Sequence, residues 1–139
     1  MNPPAPKPIL FDDIRVGQAL GPVTHDVTVE MVRRYAEATG DAGPEARAAD
    51  PVAPASMAAL FSTRLMGRVG IDRPGGSIHA KQEYRFLAPL RAGQTATTTG
   101  TVVEKFERRG RRYVVFETLT VDAQQRPVAR CRVTSILAA

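Results

Sequence analysis

The spacing of apolar residues changes along the chain, from a helical pattern in the first half to short β-type runs in the second. In residues 28–40, apolar side chains recur every three or four positions, which predicts an amphipathic helix. Thr28 is a typical residue to cap its start, and Gly40 is a typical residue to end it. Residues 53–67, APASMAALFSTRLMG, have little polar face, so we expect this helix to be buried.

The second half contains β-branched and aromatic runs separated by Gly, Pro and charged turns. We predict four consecutive strands within 76–90, 95–107, 111–123 and 127–137. Strict alternation in the first strand would place Ile78, Ala80 and Gln82 on one face, with the residues between them on the other. The predicted fold class is therefore α+β, in which a long apolar helix is wrapped by an antiparallel β-sheet.

Length and composition indicate one domain. The chain has 139 residues, of which 43% are hydrophobic and 24% charged. We expect residues 1–10, which are rich in proline, to form a flexible tail and residues 11–139 to form the domain. No apolar run is long enough for a membrane span and no secretory signal is evident, so we expect a cytoplasmic protein with no membrane partner. Cys131 is the only cysteine, and we expect no disulfide, metal site or cofactor.

The net charge of +5 favours anionic partners, but the arginines are dispersed among acidic residues, so we expect no nucleic-acid partner. The densest cluster is RRGRR, residues 108–112, between two predicted strands. We interpret it as a solvated hairpin tip. Docking of an acidic partner or of a nucleotide phosphate is the alternative.

Three segments in a fixed order carry a family resemblance: YAEATGDAGP, APASMAALFSTRLMG and GSIHAKQEYRFLAPLRAGQT. Together they resemble MaoC-like acyl-thioester dehydratases and (R)-specific enoyl-CoA hydratases, which have the hot-dog fold. The resemblance extends from Phe11 to Leu137. It implies a single hot-dog domain that forms dimers and acts on a thioester of coenzyme A or of an acyl carrier protein.

The chain departs from this family at its catalytic loop. Catalytic members resembling it carry GDxNPxH, in which the Asp and His handle the proton and the water. Gly40, Asp41 and Pro44 match this motif, whereas Gly43 replaces the Asn and Ala46 replaces the His. Alanine cannot move a proton, so Asp41 is the only catalytic candidate left in the loop. An ordinary turn residue is the alternative interpretation of Asp41.

Dehydration of a 3-hydroxyacyl thioester needs a base, an acid and donors to the enolate-like oxygen. The start of the central helix could supply those donors through the amides of Ala55 and Ser56, next to Pro54, which has no N–H. These three residues are our candidates for thioester binding. An ordinary helix start would account for them equally well.

Only two histidines could replace the missing base. His25 precedes the first helix, where a surface role is expected. His79 is the better catalytic candidate, although a structural or substrate-lining role is favoured for it. Gln82 is a further candidate for substrate binding, because a His followed three residues later by Gln is frequent in relatives without the loop His. Strand alternation places His79 and Gln82 on opposite faces unless a bulge intervenes.

Three functions remain open. In the first, the chain forms the acyl-binding half of a dehydratase or hydratase, and a partner subunit supplies GDxNPxH. In the second, a homodimer works alone with Asp41 and His79. In the third, the chain binds an acyl group or a carrier protein without chemistry.

Overall fold

A computed structural model of the chain describes residues 10–68 and 75–138. Residues 1–9, which make up nearly all of the predicted tail, lie outside this range. The α+β prediction is confirmed. In chain order the elements are a 3-10 turn (Phe11–Asp13), β1 (Ala19–Asp26), α1 (Val29–Thr39), α2 (Pro44–Arg47), a second 3-10 turn (Ala55–Met57), α3 (Ala58–Arg68), β2 (Ile78–Phe86), β3 (Thr95–Arg108), β4 (Arg111–Val121) and β5 (Pro127–Leu137).

The first helix begins and ends where its sequence predicts. Thr28 Oγ1 accepts a hydrogen bond of 3.0 Å from the N–H of Met31, which satisfies one amide of the first turn. Gly40 ends α1 in the left-handed conformation, with φ of 71°. The helix buries Val32 and Ala36 against the rest of the domain.

All five strands form one antiparallel sheet in the order β1-β3-β4-β5-β2. The four strands predicted in the second half are confirmed, and the short extended segment before α1 adds β1 as an edge strand. The β3–β4 hairpin turns at Arg109 and Gly110, both with positive φ, so the arginine cluster does form a hairpin tip.

The central helix α3 packs closely on the sheet at Leu65. This side chain is fully buried and lies between two glycines on neighbouring strands. A Cβ on Gly21 would lie 2.7 Å from Leu65 Cδ1, and a Cβ on Gly100 would lie 2.9 Å from Leu65 Cδ2. Only glycine permits this contact of helix and sheet, which joins α3 to the β1–β3 side.

The opposite edge strand, β2, is barely covered. Of its nine residues, only Tyr84 is half-buried and the others are exposed. The Tyr84 hydroxyl shares a hydrogen bond of 3.0 Å with Ser62 Oγ, which ties β2 to α3. A shift of register between His79 and Lys81 interrupts the predicted alternation of this strand.

Candidate active site

The loop after α1 holds its own carboxylate. Asp41 Oδ1 accepts a hydrogen bond of 2.8 Å from the N–H of Gly43. The absence of a side chain at Gly43 makes room for this bond, because a Cβ there would lie 2.9 Å from Asp41 Oδ1. One carboxylate oxygen of Asp41 is thus engaged within the loop, as in an ordinary Asx turn.

A short helix follows the turn where the sequence suggested an irregular loop. Pro44 begins α2, since its fixed φ and missing N–H suit a first helical position. This helix directs Ala46 inward, so that only 3% of its surface is exposed. Ala46 and Asp41 line one cavity of about 450 Å³, which Arg33 and Arg47 flank. The position of the family histidine is therefore occupied by a buried methyl group beside the loop carboxylate.

The start of the central helix lines an apolar cavity. Pro54 precedes the second 3-10 turn, and no side chain caps the amides that follow it. The cavity has a volume of about 390 Å³, and its walls include Pro54, Ala55, Met57, Phe61, Phe86 and Leu90. Ser56 Oγ accepts a hydrogen bond of 3.2 Å from the Tyr35 hydroxyl, which links α1 to this helix start. The size and the apolar lining of this cavity suit an acyl chain.

His79 and Gln82 face the same small cavity, of about 30 Å³, between α3 and the sheet. The bulge after His79 explains why both side chains lie on the same face of the strand. Its extra residue shifts the alternation of faces by one position. The space is about that of one water molecule, so it does not hold an acyl chain. Gln82 Nε2 donates inward to the Tyr84 hydroxyl and, over 3.8 Å, to Cys131 Sγ.

The predicted site residues fall into three groups within the chain. Asp41 lies with Ala46, Pro54 and Ala55 line the apolar cavity, and His79 lies with Gln82 in the third space. Ser56 follows Ala55 of the second group in the chain, and its hydroxyl accepts a hydrogen bond from Tyr35. Asp41 and His79 do not share a cavity within the described parts of the chain.

Two placements were missed by sequence reasoning. His25, expected at the surface, is half-buried, with its ring centroid 5.9 Å from that of Phe61 on the central helix. Phe86 and Leu87 line the mouth of the apolar cavity although both are about half exposed. Their signal in the sequence was an apolar pair at the end of the strand, followed by Ala88 and Pro89.

Within residues 10–68 and 75–138, no group of three or more His, Cys, Asp or Glu side chains is arranged to hold a metal ion. The described helices include none that is long and apolar enough to cross a membrane. The cytoplasmic location stays a prediction from the sequence.

The fold is the hot-dog fold of MaoC-like dehydratases and (R)-hydratases. The (R)-hydratase PhaJ1 of Pseudomonas aeruginosa superimposes with a TM-score of 0.76 at 19% identity, over 96% of this chain and 85% of that one. A chain of the C-terminally truncated HadBC (3R-hydroxyacyl-ACP dehydratase) complex of Mycobacterium tuberculosis gives 0.72 at 20% identity, over 87% of this chain and 96% of that one.

Residues 15–131 match the family described as "FAS1-like, dehydratase domain region", and the chain belongs to that family. It is also 31% identical over 107 residues to a UPF0336 protein of Streptomyces coelicolor, which covers 66% of this chain and 71% of the relative. The resemblance inferred from the three sequence segments is thereby confirmed.

Proposed function

We propose that this chain is the acyl-binding subunit of a 3-hydroxyacyl-thioester dehydratase or enoyl hydratase, and that a second hot-dog subunit carries the catalytic GDxNPxH loop. One observation carries the proposal: a buried Ala46 lines the cavity beside Asp41 where catalytic relatives are expected to have histidine. This chain has a cavity beside Asp41, while the group that would move the proton is absent from the loop.

The apolar cavity beside α3 supports the acyl-binding role. An acyl chain would lie between Phe61 and Leu90, with the thioester at the amides that follow Pro54. Those amides carry the positive end of the helix dipole and would stabilise the oxygen that becomes enolate-like. The partner's histidine would take the proton next to the carbonyl. Coenzyme A and an acyl carrier protein are both compatible with this arrangement.

The edge strand β2 is the surface we propose for the partner. Its backbone edge is unpaired within the described residues, and Ile78 exposes 50% of its surface there. An uncovered edge of this length is a template for pairing with another strand. The similarity to a chain of the HadBC complex is consistent with two different subunits.

Reconstitution tests this proposal. We expect the purified chain to give no turnover of a 3-hydroxyacyl or enoyl thioester alone, and turnover together with a hot-dog subunit that contains GDxNPxH. Leu87→Trp, at the cavity mouth, should reduce kcat/KM more for long than for short acyl chains. Leu10→Trp is the matched control, since Leu10 is similarly exposed and lies outside that cavity. Equal losses with both variants would contradict the assignment of the cavity.

A homodimer that uses Asp41 and His79 is the second candidate. It is favoured by the exposed position of His79 on β2, where another copy could bring it beside a different cavity. Turnover by the chain alone that is abolished by His79→Ala would establish it and reject the two-subunit proposal. Thioester retained unchanged, even with a catalytic partner present, would instead indicate a binding module without chemistry.

A further inference from the structure

The face of the sheet that points away from α3 carries two cross-strand rows of different character. Thr99 and Thr101 flank Gly100, which faces Leu65 of the helix, so strand alternation directs both threonines to this outer face. The pairing register aligns each of these two threonines with one residue on β4, one on β5 and one on β2. The first row is Thr99, Leu119, Arg130 and Arg85, and the second is Thr101, Glu117, Arg132 and Glu83.

In the second row, charges of opposite sign alternate and are paired. Arg132 donates to Glu117 Oε1 at 2.6 Å and also to Glu104. Glu83 forms an ion pair of 2.5 Å with Lys81. Each charged side chain of this row therefore has a partner of opposite charge, either in the row or next to it.

The first row places two arginines directly opposite each other. Arg85 pairs in register with Arg130, which brings their Cβ atoms to about 4.5–5.5 Å, and like charges at this spacing destabilise a sheet. Across the described residues, no carboxylate lies within 4.0 Å of a guanidinium nitrogen of either one. Their neighbours along the row are Leu119 and Thr99, which carry no charge.

Both rows line an open groove of about 730 Å³. We propose that Arg85 and Arg130 bind the phosphate group of a small phosphorylated molecule in this groove. A phosphate dianion matches these two cations, which have no carboxylate in direct contact among the described residues although Glu83 interacts with Arg85 at longer range, and a guanidinium donates to phosphate oxygens in a bidentate manner. The hydroxyls of Thr99 and Thr101 add donors on the same floor, and the groove has the size of a small-molecule site.

This site is separate from the acyl cavity. Residues lining the groove include none of those that line the apolar cavity at the start of α3. The inference therefore goes beyond the proposed dehydratase role, and either can fail without the other.

Calorimetric titration of the full chain with inorganic phosphate, adenosine monophosphate and succinate tests the site. We expect saturable binding of a phosphate-bearing probe, weakened about tenfold or more by Arg85→Gln or Arg130→Gln. Tighter binding of the nucleotide than of inorganic phosphate would identify the groove as a nucleotide site, and equal binding would identify phosphate alone as the ligand. Arg34→Gln removes an exposed arginine of α1 and should leave the affinity unchanged.

The midpoint of thermal unfolding is a second measurement of the site. A purely structural role of Arg130 would not make this midpoint respond to phosphate. Without ligand, Arg130→Gln should raise the midpoint, since the repulsion with Arg85 is gone, and phosphate should no longer shift it. The proposal is overturned if no probe binds, if succinate binds as tightly as the phosphate-bearing probes, or if Arg34→Gln weakens binding as much as the groove variants.

Discussion

The two edge strands of the sheet, β1 and β2, differ in how closely the central helix packs on them. At β1, one face of the strand packs on the central helix: Leu20 is buried, and Gly21 admits Leu65 to close contact. Pro22, in the same strand, has no N–H to offer a further strand. At β2, the strand from Ile78 to Phe86 contains no proline and is exposed on both faces except at Tyr84.

We expect this difference to separate residues that stabilise the fold from residues that act in assembly. The β1 side is held by contacts within the chain, so changes there should unfold the protein. The β2 side loses little when altered in an isolated subunit, so changes there should affect assembly. Variants at the two edges can therefore test this division, beginning with the largest expected effect.

Removing the Leu65 side chain should have the largest effect. Leu65→Ala leaves a cavity between two strands and the helix, and we expect it to lower the free energy of unfolding by about 2–5 kcal/mol. Chemical denaturation measures the loss. Leu10→Ala, at a side chain that is 55% exposed, should change it by less than about 0.5 kcal/mol. A loss below about 1 kcal/mol for Leu65→Ala would mean that the β1 side does not hold the subunit together.

Adding one methyl group opposite Leu65 should have the next largest effect. Gly100→Ala would overpack the contact, at a cost of about 1–3 kcal/mol. In the Leu65→Ala background the same change should cost clearly less, because the space is then available. Gly75→Ala is the control, since nothing lies within 4 Å of its Cβ position. Strictly additive losses in the double variant would show that the two residues do not limit each other.

On the β2 side, a charge should affect association and leave folding nearly unchanged. We expect Ile78→Lys to change the free energy of unfolding of the subunit by less than about 0.5 kcal/mol, but to abolish or strongly weaken assembly. Sedimentation velocity with and without the catalytic partner measures this. Val16→Lys, at an even more exposed apolar residue off the sheet, should assemble normally. Normal assembly of the Ile78 variant would place the interface elsewhere.

The smallest effect concerns the tie between β2 and the helix. Burial raises the pKa of Tyr84 to about 12, and Cys131 adds to the increase. The folded chain therefore favours the neutral phenol. Its contribution to stability is complete below the ordinary pKa of 10.0 and is lost as pH rises towards about 12. Absorbance titration should show a late tyrosine ionisation that Tyr84→Phe removes. Unchanged titration curves would show that the Tyr84 hydroxyl is not buried against the helix.

Local signals in the sequence were sufficient for the elements themselves. Thr28 and Gly40 cap α1 through hydrogen bonds to residues within four positions, so a short stretch of sequence contains the information. The β-branched runs likewise predicted the four strands. Strand order is different, because β2 follows the helix in sequence but lies at the edge far from β1. That position depends on contacts between distant segments.

The same limit applies to the candidate site. Gly43 and Ala46 could be recognised as departures from a motif, and both do stand beside Asp41. The shared cavity of His79 and Gln82 could not be predicted, because it depends on a bulge in the pairing with β5. The contact of His25 with Phe61 was equally hidden, since these residues are far apart in sequence.

The missing side chain at Gly43 has a consequence for any route back to catalysis. A histidine placed at position 46 alone would meet a carboxylate that the loop amide already engages. An asparagine placed at position 43 alone would push Asp41 aside, because its Cβ would lie 2.9 Å from Oδ1, and there would still be no base. We therefore expect that neither substitution alone restores full turnover to this chain.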